Sequence, residues 1–91
     1  MEQELRKTLN DLGFADHDIH LESTSAGKVG GWVVSDRFDD MSQIERQDWL
    51  WARLRERLSP DKLAKIVAIL TMTPLEVAED VDEVEDGERL G

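Results

Sequence analysis

The most constraining feature of this chain is an apolar run, residues 66–72, that leads directly into a helix-start signal. The run is rich in β-branched and aliphatic residues, so we predict a central strand covered on at least one face. Residues 73–76, Thr-Pro-Leu-Glu, form a capping box with proline at the first helical position. A strand that passes straight into a helix restricts the chain to folds that mix the two elements.

A second capping box begins the longest predicted helix. Ser42 and Glu45 have the spacing at which each side chain satisfies a backbone donor of the other. Proline at residue 60 ends this helix and favours a short helix through Lys65. Helical periodicity divides the side chains of the long helix into two sets. The predicted apolar face contains Ile44, Leu50, Trp51, Leu54 and Leu58, whereas Glu45, Arg46, Arg53 and Glu56 lie away from it.

The amino-terminal half predicts one helix and a hairpin. Residues 2–12 have leucines at helical spacing, and residues 17–24 alternate as in a strand. A glycine-rich connection at 25–31 leads to a second strand at 32–34 and a helical turn at 36–38. The complete order is helix, strand, strand, helix, short helix, strand, helix. We therefore predict an α+β fold in which a three-stranded sheet carries helices packed on one face.

The charge is unevenly distributed along the 91 residues, a length that we expect to form one domain. Residues 1–75 carry 13 acids and 10 bases, a net of −3, and residues 76–91 carry 8 acids and 1 base, a net of −7, which gives −10 in total. We divide the chain into a domain at 1–78 and an acidic tail at 79–91 that is predicted to be helical at its start. The net negative charge opposes binding of nucleic-acid phosphates, although a local basic patch is compatible with this net charge.

Several chemistries lack the residues they need. The chain has no cysteine, which excludes disulfides and thiolate ligands from its own residues. His17 and His20, the only histidines, are predicted on opposite faces of one strand, so they do not form a chelating pair. No nucleophile with an adjacent base is recognisable, and we predict no enzyme activity. The first residues are acidic and the longest apolar run is short, so we expect a cytoplasmic protein without a membrane partner.

Motif residues occur at the strand end, on the long helix and at the last helix start: Val34, Ser35, Asp36 and Phe38; Ser42, Arg46, Ala52 and Leu54; Thr73, Pro74 and Glu76. This pattern, over roughly residues 2–80, resembles the BolA family. The resemblance implies a type-II KH-like fold with the order α-β-β-α-(α)-β-α. It also implies a role beside monothiol glutaredoxins in iron–sulfur cluster handling, or in stress-linked transcriptional control.

The chain departs from the family pattern at the positions that would carry chemistry. The helix histidine of the family falls on Gln47, and the histidine that opens its last strand falls on Lys65. A loop that can hold a further ligand in relatives has Lys28. Protonated lysine has no free lone pair for iron, so we predict no bound cofactor or metal. Asp39 and Asp40 occupy the KH-like loop and would repel phosphate.

These observations lead to a predicted partner-binding site and two alternatives. Trp49 projects away from the apolar arc, and exposed tryptophan is enriched at interfaces. Packing of Trp49 against the first helix or the tail is equally compatible with the sequence. The first alternative is a KH-like nucleic-acid-binding or transcription-related module that uses Arg37, Arg46, Arg53 and Lys65; the second is an acidic adaptor unrelated to BolA. The predicted partner-binding residues are Arg37, Arg46, Gln47, Trp49 and Lys65.

Overall fold

The computed structural model describes residues 1–78, which fold as α+β. The helices are α1 (Glu2–Asp11), α2 (Gln43–Arg57), α3 (Pro60–Leu63) and α4, which is described over residues 74–78. The strands are β1 (Ile19–Ser23), β2 (Val29–Val34) and β3 (Ile66–Met72), and 3₁₀ turns occupy Asp16–Asp18 and Asp36–Phe38. The predicted α+β class with a three-stranded sheet is confirmed. The predicted acidic tail at 79–91 lies outside the described residues.

The three strands form one mixed sheet in the order β1-β2-β3. The hairpin between β1 and β2 is antiparallel, as predicted, and β2 pairs with β3 in parallel. The prediction that residues 66–72 form a central strand is wrong, because β2 is central and β3 lies at the edge of the sheet. The register explains the misleading apolar run: Val29 pairs with Ile66 and Gly30 with Ala68, so Val67 is an extra, bulged residue that breaks the alternation.

Two strand boundaries differ from the prediction. β1 starts at Ile19, because the preceding residues 16–18 form a 3₁₀ turn, so His17 is on a turn and not on the strand. β2 starts at Val29 and includes the glycines that the sequence assigned to the connection. These glycines pair with β1 through ordinary ladder positions, Gly31 opposite Leu21 and Gly30 opposite Glu22.

One face of the sheet is covered by α1 and α2, as predicted. Along β2 the buried residues are Val29 and Val33, and the side chains of α1 and α2 pack against them. Alternating burial of this kind is typical of a sheet with one covered face. The buried apolar residues of the core are Leu5, Leu9, Phe14, Ile19, Val29, Val33, Phe38, Leu50, Leu54, Leu58, Ile66 and Ile69.

The buried face of α2 is rotated relative to the predicted one. Ile44, predicted to be apolar core, is 74% exposed, whereas Arg46, predicted to lie away from the core, is only 5% exposed. The residues that face inward are Arg46, Leu50 and Leu54, which follow one another at four-residue spacing. Counting only apolar residues therefore misplaced the face, because the first inward position of this helix is an arginine.

Gly31 is a glycine because β1 comes too close for a side chain. A Cβ atom at Gly31 would lie 1.8 Å from the carbonyl oxygen of His20, on a backbone with φ of +158°. We expect Gly31→Ala to lower the free energy of unfolding by about 2 kcal/mol or more, because the hairpin must open to admit the methyl group.

Urea denaturation of Gly31→Ala and of the matched variant Gly27→Ala tests this expectation. Gly27 also has a positive φ of +76°, but a Cβ there meets no atom within 4 Å. The control should therefore lose only the backbone term of about 1 kcal/mol. Equal stability of the two variants would show that the close approach at Gly31 costs nothing.

Candidate interaction site

Arg46 is a buried cation whose Nε and Nη1 donors are directed at fixed acceptors. Its Nε donates to the carbonyl oxygen of Met41 at 3.0 Å, and its Nη1 donates to the carbonyl oxygen of Thr71 at 3.3 Å. The same Nη1 forms an ion pair with Glu76 Oε1 at 2.8 Å. Burial of an unpaired guanidinium would be costly, so these acceptors hold α2, β3 and α4 together. Arg46 is thus an internal connector of the fold.

Glu76 serves both this ion pair and the start of α4. The Thr73 backbone N–H donates to Glu76 Oε1 at 2.9 Å, and the Glu76 backbone N–H donates to Thr73 Oγ1 at 3.1 Å, which is the predicted capping box. The hydrogen bond from Arg46 is the largest cause that lowers the pKa of Glu76, followed by the Thr73 N–H. The carboxylate is therefore held in its charged form at the junction of β3 and α4.

Gln47 uses both ends of its amide inside the protein. Its Nε2 donates to the carbonyl oxygen of Ile69 at 2.9 Å and to Thr71 Oγ1 at 3.3 Å. Its Oε1 accepts from the indole N–H of Trp51 at 3.0 Å. A glutamine at this position therefore links α2 to β3, and its oxygen already has a donor.

The same helix face satisfies the carbonyl groups of the edge strand. Gln43 Nε2 donates to the Thr71 carbonyl oxygen at 3.4 Å, and Thr71 Oγ1 donates to Gln43 Oε1 at 3.2 Å. With Arg46 and Gln47, three α2 side chains thus reach the carbonyls of Ile69 and Thr71 on β3. Edge strands usually expose such groups to other chains, and here side chains of the same protein occupy them.

An exposed arginine and a tryptophan meet on the other side of α2. Trp49 is half-buried, and its ring makes edge contacts with Phe14 and Phe38, each at 6.2 Å between centroids. The guanidinium carbons of Arg37 and Arg53 lie over the indole ring, 4.7 Å and 5.6 Å from its centroid. Such cation–π contacts fix a guanidinium without neutralising its charge. We refer to Arg37, Trp49 and Arg53 as the Arg–Trp stack.

The backbone around the stack positions Arg37. Ser35 Oγ accepts from the Arg37 backbone N–H at 3.1 Å, which begins the 3₁₀ turn, and Arg37 Nη1 donates to the Leu12 carbonyl oxygen at 3.2 Å. The arginine is exposed, and its remaining N–H donors are available to a partner. Arg53 is already engaged with Glu56 at 3.3 Å. Arg37 is therefore the member of the stack best placed to contact another molecule.

The structure separates the predicted site residues into three places. Arg37 and Trp49 touch each other in the Arg–Trp stack, whereas Arg46 and Gln47 belong to the internal contacts with β3. Lys65 is exposed between α3 and β3 and makes no salt bridge or side-chain hydrogen bond within residues 1–78. The five predicted partner-binding residues therefore do not lie together on one surface of the fold.

Arg53 was not among the predicted partner-binding residues, although it completes the stack. The signal was available, since Arg53 follows Trp49 by four residues and such pairs are neighbours on a helix. Arg37 could not be placed over the same ring by spacing, because the contact depends on how the 3₁₀ turn packs on α2.

No residues assemble into a metal site within the described part of the chain. Within residues 1–78, no group of three or more histidine, aspartate or glutamate side chains is placed so that it could hold a metal ion. His17 is exposed on its turn, and His20 is exposed and stacked on Trp32 with ring centroids 4.7 Å apart. Asp39 and Asp40 are both exposed in the turn before α2.

Comparison of the chain with protein-family models, curated proteins and solved structures finds no match in any of the three. Of the helices within residues 1–78, none combines the length and apolar character needed to span a bilayer.

The Arg46–Glu76 pair predicts a specific pH dependence of stability. We expect Glu76→Gln to reduce the free energy of unfolding at pH 7 by about 1–2 kcal/mol, since a charge-assisted hydrogen bond to a buried arginine is lost while Glu76 itself is partly exposed. The pKa of Glu76 is lowered by folding. Its stabilising effect is thus present above the unfolded pKa of about 4.3 and is lost as pH falls through the lower folded value.

Chemical denaturation of wild type and Glu76→Gln between pH 7 and pH 3 checks this prediction. The difference in unfolding free energy should be constant near neutrality and shrink below about pH 4. Glu56→Gln, which removes an exposed pair with Arg53, is the control and should change stability by less than about 0.5 kcal/mol. A difference that persists undiminished at pH 3 would assign the effect to packing and not to charge.

Proposed function

We propose that this chain is a non-enzymatic, BolA-like interaction protein that binds a protein partner through the Arg–Trp stack. The observation that carries the proposal is the contact of Arg37 with Trp49, 4.7 Å from guanidinium carbon to ring centroid, on an exposed surface. Tryptophan and arginine are the residues most enriched at binding hot spots. A guanidinium that is already fixed on a ring loses little side-chain entropy when a partner binds.

The resemblance to BolA proteins is supported by the way its motif residues work together. Ser35 caps the 3₁₀ turn, and Phe38 of the same motif is fully buried beneath it. Arg46 from the helix motif pairs with Glu76 from the Thr-Pro-x-Glu motif at 2.8 Å. Three motifs that are distant in sequence therefore support one junction of turn, helix and strand, which is a reason for them to occur together. On this basis we propose the type-II KH-like arrangement for the fold.

The partner that the resemblance suggests is a monothiol glutaredoxin, bound without histidine ligation from this chain. The position of the family's helix histidine is filled by Gln47, whose amide is bonded to Ile69 and Trp51. Lys65 stands where the strand histidine would be, and lysine is a poor iron ligand. We therefore expect protein–protein contact to hold such a complex together, with no change of cluster ligands.

Nucleic-acid binding is the alternative that shares part of this surface. A tryptophan flanked by arginines could in principle stack on a base. However, two guanidiniums already lie over the Trp49 ring, and Arg46, one of the four cations that this alternative requires, is 5% exposed and paired with Glu76. Asp39 and Asp40 add exposed negative charge at the neighbouring turn. The arrangement thus favours a protein partner. The third prediction, an acidic adaptor unrelated to BolA, stays a prediction.

Isothermal titration calorimetry against a monothiol glutaredoxin, with and without its cluster, tests the proposal. We expect Arg37→Gln to weaken binding by roughly tenfold or more, as is typical of a hot-spot arginine. Arg55→Gln is the matched control, because Arg55 is exposed on α2, which carries Trp49, but lies outside the stack. The affinity of this variant should equal that of wild type. The visible spectrum of the cluster should not change on binding.

Three results would contradict the proposal. Absence of binding by the wild-type chain would remove the glutaredoxin, and equal losses in Arg37→Gln and Arg55→Gln would remove the stack as the site. A changed cluster spectrum would restore ligation by this chain. A gel shift with single-stranded nucleic acid at low salt, where phosphate contacts are strongest, decides the alternative: a shift abolished by Arg37→Gln would favour it.

A further inference from the structure

The sheet has a second face that no helix covers within residues 1–78. The register aligns His20, Trp32 and Leu70 in one row across all three strands, and His20 stacks on Trp32. Leu70 is 60% exposed and Trp32 is 36% exposed, although both are large apolar side chains. The bulged Val67 on the edge strand is 63% exposed. We refer to Trp32, Val67 and Leu70 with His20 as the open sheet face.

This face has few charges for a chain in which 35% of residues are charged. By strand alternation, Val34 and Met72 form the next row on the same face, and Ala68 lies on the other side of the His20–Trp32–Leu70 row. Glu22 is the only charged residue at the outward positions of the three strands. Depletion of charge around exposed aromatic and aliphatic side chains distinguishes the core of an interface from ordinary surface.

At the neighbouring edge of the sheet, side chains of α2 occupy two carbonyl groups of β3. The carbonyl groups of Ile69 and Thr71 on β3 already accept from Gln43, Arg46 and Gln47. A partner strand that paired along this edge would have to displace these side chains, including the buried arginine. Contact with the apolar face requires no such displacement, so the face is a better docking surface than this edge.

We propose that the open sheet face binds a single amphipathic helix, with basic flanks, from a partner protein. The outer strands are about 10 Å apart and each is roughly 20 Å long. A helix of about 13 residues has a length of about 20 Å and a diameter of 10–12 Å with its side chains, so one helix matches the face. This inference is independent of the Arg–Trp stack.

Charge and area argue against a second copy as the occupant. With these dimensions the face presents about 200 Å² in projection, well below the roughly 800 Å² per partner of a standard stable interface. Two chains of net charge −10 also repel each other. The same negative field attracts a helix whose polar side carries lysine and arginine, while Trp32 and Leu70 receive its apolar side.

NMR titration of the full chain with a synthetic amphipathic peptide of leucine and lysine, about 14 residues long, tests the proposal. The expected result is binding with amide and indole shifts centred on His20, Trp32 and Leu70. A peptide of the same pattern with glutamate in place of lysine should bind at least tenfold more weakly. Leu70→Ser should weaken the lysine peptide by roughly tenfold, and Trp32→Ser by at least as much.

Matched controls come from exposed apolar residues outside the sheet. Ile44 is 74% exposed on α2 and Leu75 is 67% exposed on α4, so Ile44→Ser and Leu75→Ser remove comparable apolar surface elsewhere. Their affinities should stay within about twofold of wild type. Circular dichroism of Leu70→Ser, whose side chain is largely exposed, confirms that the fold is retained in the variant on which the comparison depends.

Each of the following results would overturn the proposal. Equal losses in Leu70→Ser and Leu75→Ser would mean non-specific adhesion of a cationic peptide to an acidic protein. Shifts centred on Trp49 would move the peptide to the Arg–Trp stack. Sedimentation velocity of the chain alone completes the test: a dimer dissociated by Leu70→Ser would identify a second copy as the occupant.

Discussion

The structure depends on the satisfaction of one buried cation. Arg46 is placed by α2 against the end of β3, where it is 5% exposed and where a guanidinium without acceptors would be strongly destabilising. Its acceptors come from three different parts of the chain: the turn before α2, the edge strand and the first turn of α4. The position of α4 is therefore tied to the packing of α2, although few apolar residues connect them. Arg46 thus holds these elements together by hydrogen bonds and an ion pair, whereas packed leucines hold the elements together elsewhere in the core.

The need to provide acceptors for Arg46 also explains why the motif residues indicate how the chain folds but do not indicate a chemical activity. Ser35, Phe38, Arg46 and Glu76 resemble a family pattern, and each has a contact that the fold needs: a turn cap, a core ring and a buried ion pair. These contacts account for the residues without reference to any binding partner. Gln47 shows the converse, since it occupies a position associated with ligation in the resemblance and is committed to Ile69 and Trp51. These motif residues are therefore evidence about folding, and a function must use the positions that folding leaves free.

Sequence reasoning succeeded where the determinants are local. Both capping boxes, the 3₁₀ turn at Asp36–Phe38 and the short helix after Pro60 depend on neighbouring residues, and the structure has all of them. It failed where partners distant in the chain decide the outcome. Arg46 was assigned to solvent and Ile44 to the core, because the acceptors that draw the arginine inward lie on other elements. The bulge at Val67 made an edge strand look central. The contact between Arg37 and Trp49 had no local signal, since it joins a turn to the middle of a helix.

The side-chain contacts along β3 limit how this edge of the sheet can be used. An uncharged edge strand such as β3 would ordinarily invite pairing with another chain, and three α2 side chains disfavour such pairing by holding the carbonyl groups of Ile69 and Thr71. The helix layer covers one face of the sheet, and the uncovered face and the outer side of α2 are two surfaces that stay exposed within residues 1–78. These two surfaces differ in chemistry, because one is apolar and nearly free of charge and the other presents guanidiniums fixed on an indole ring. Because they differ in this way, the two surfaces favour partners of different chemistry.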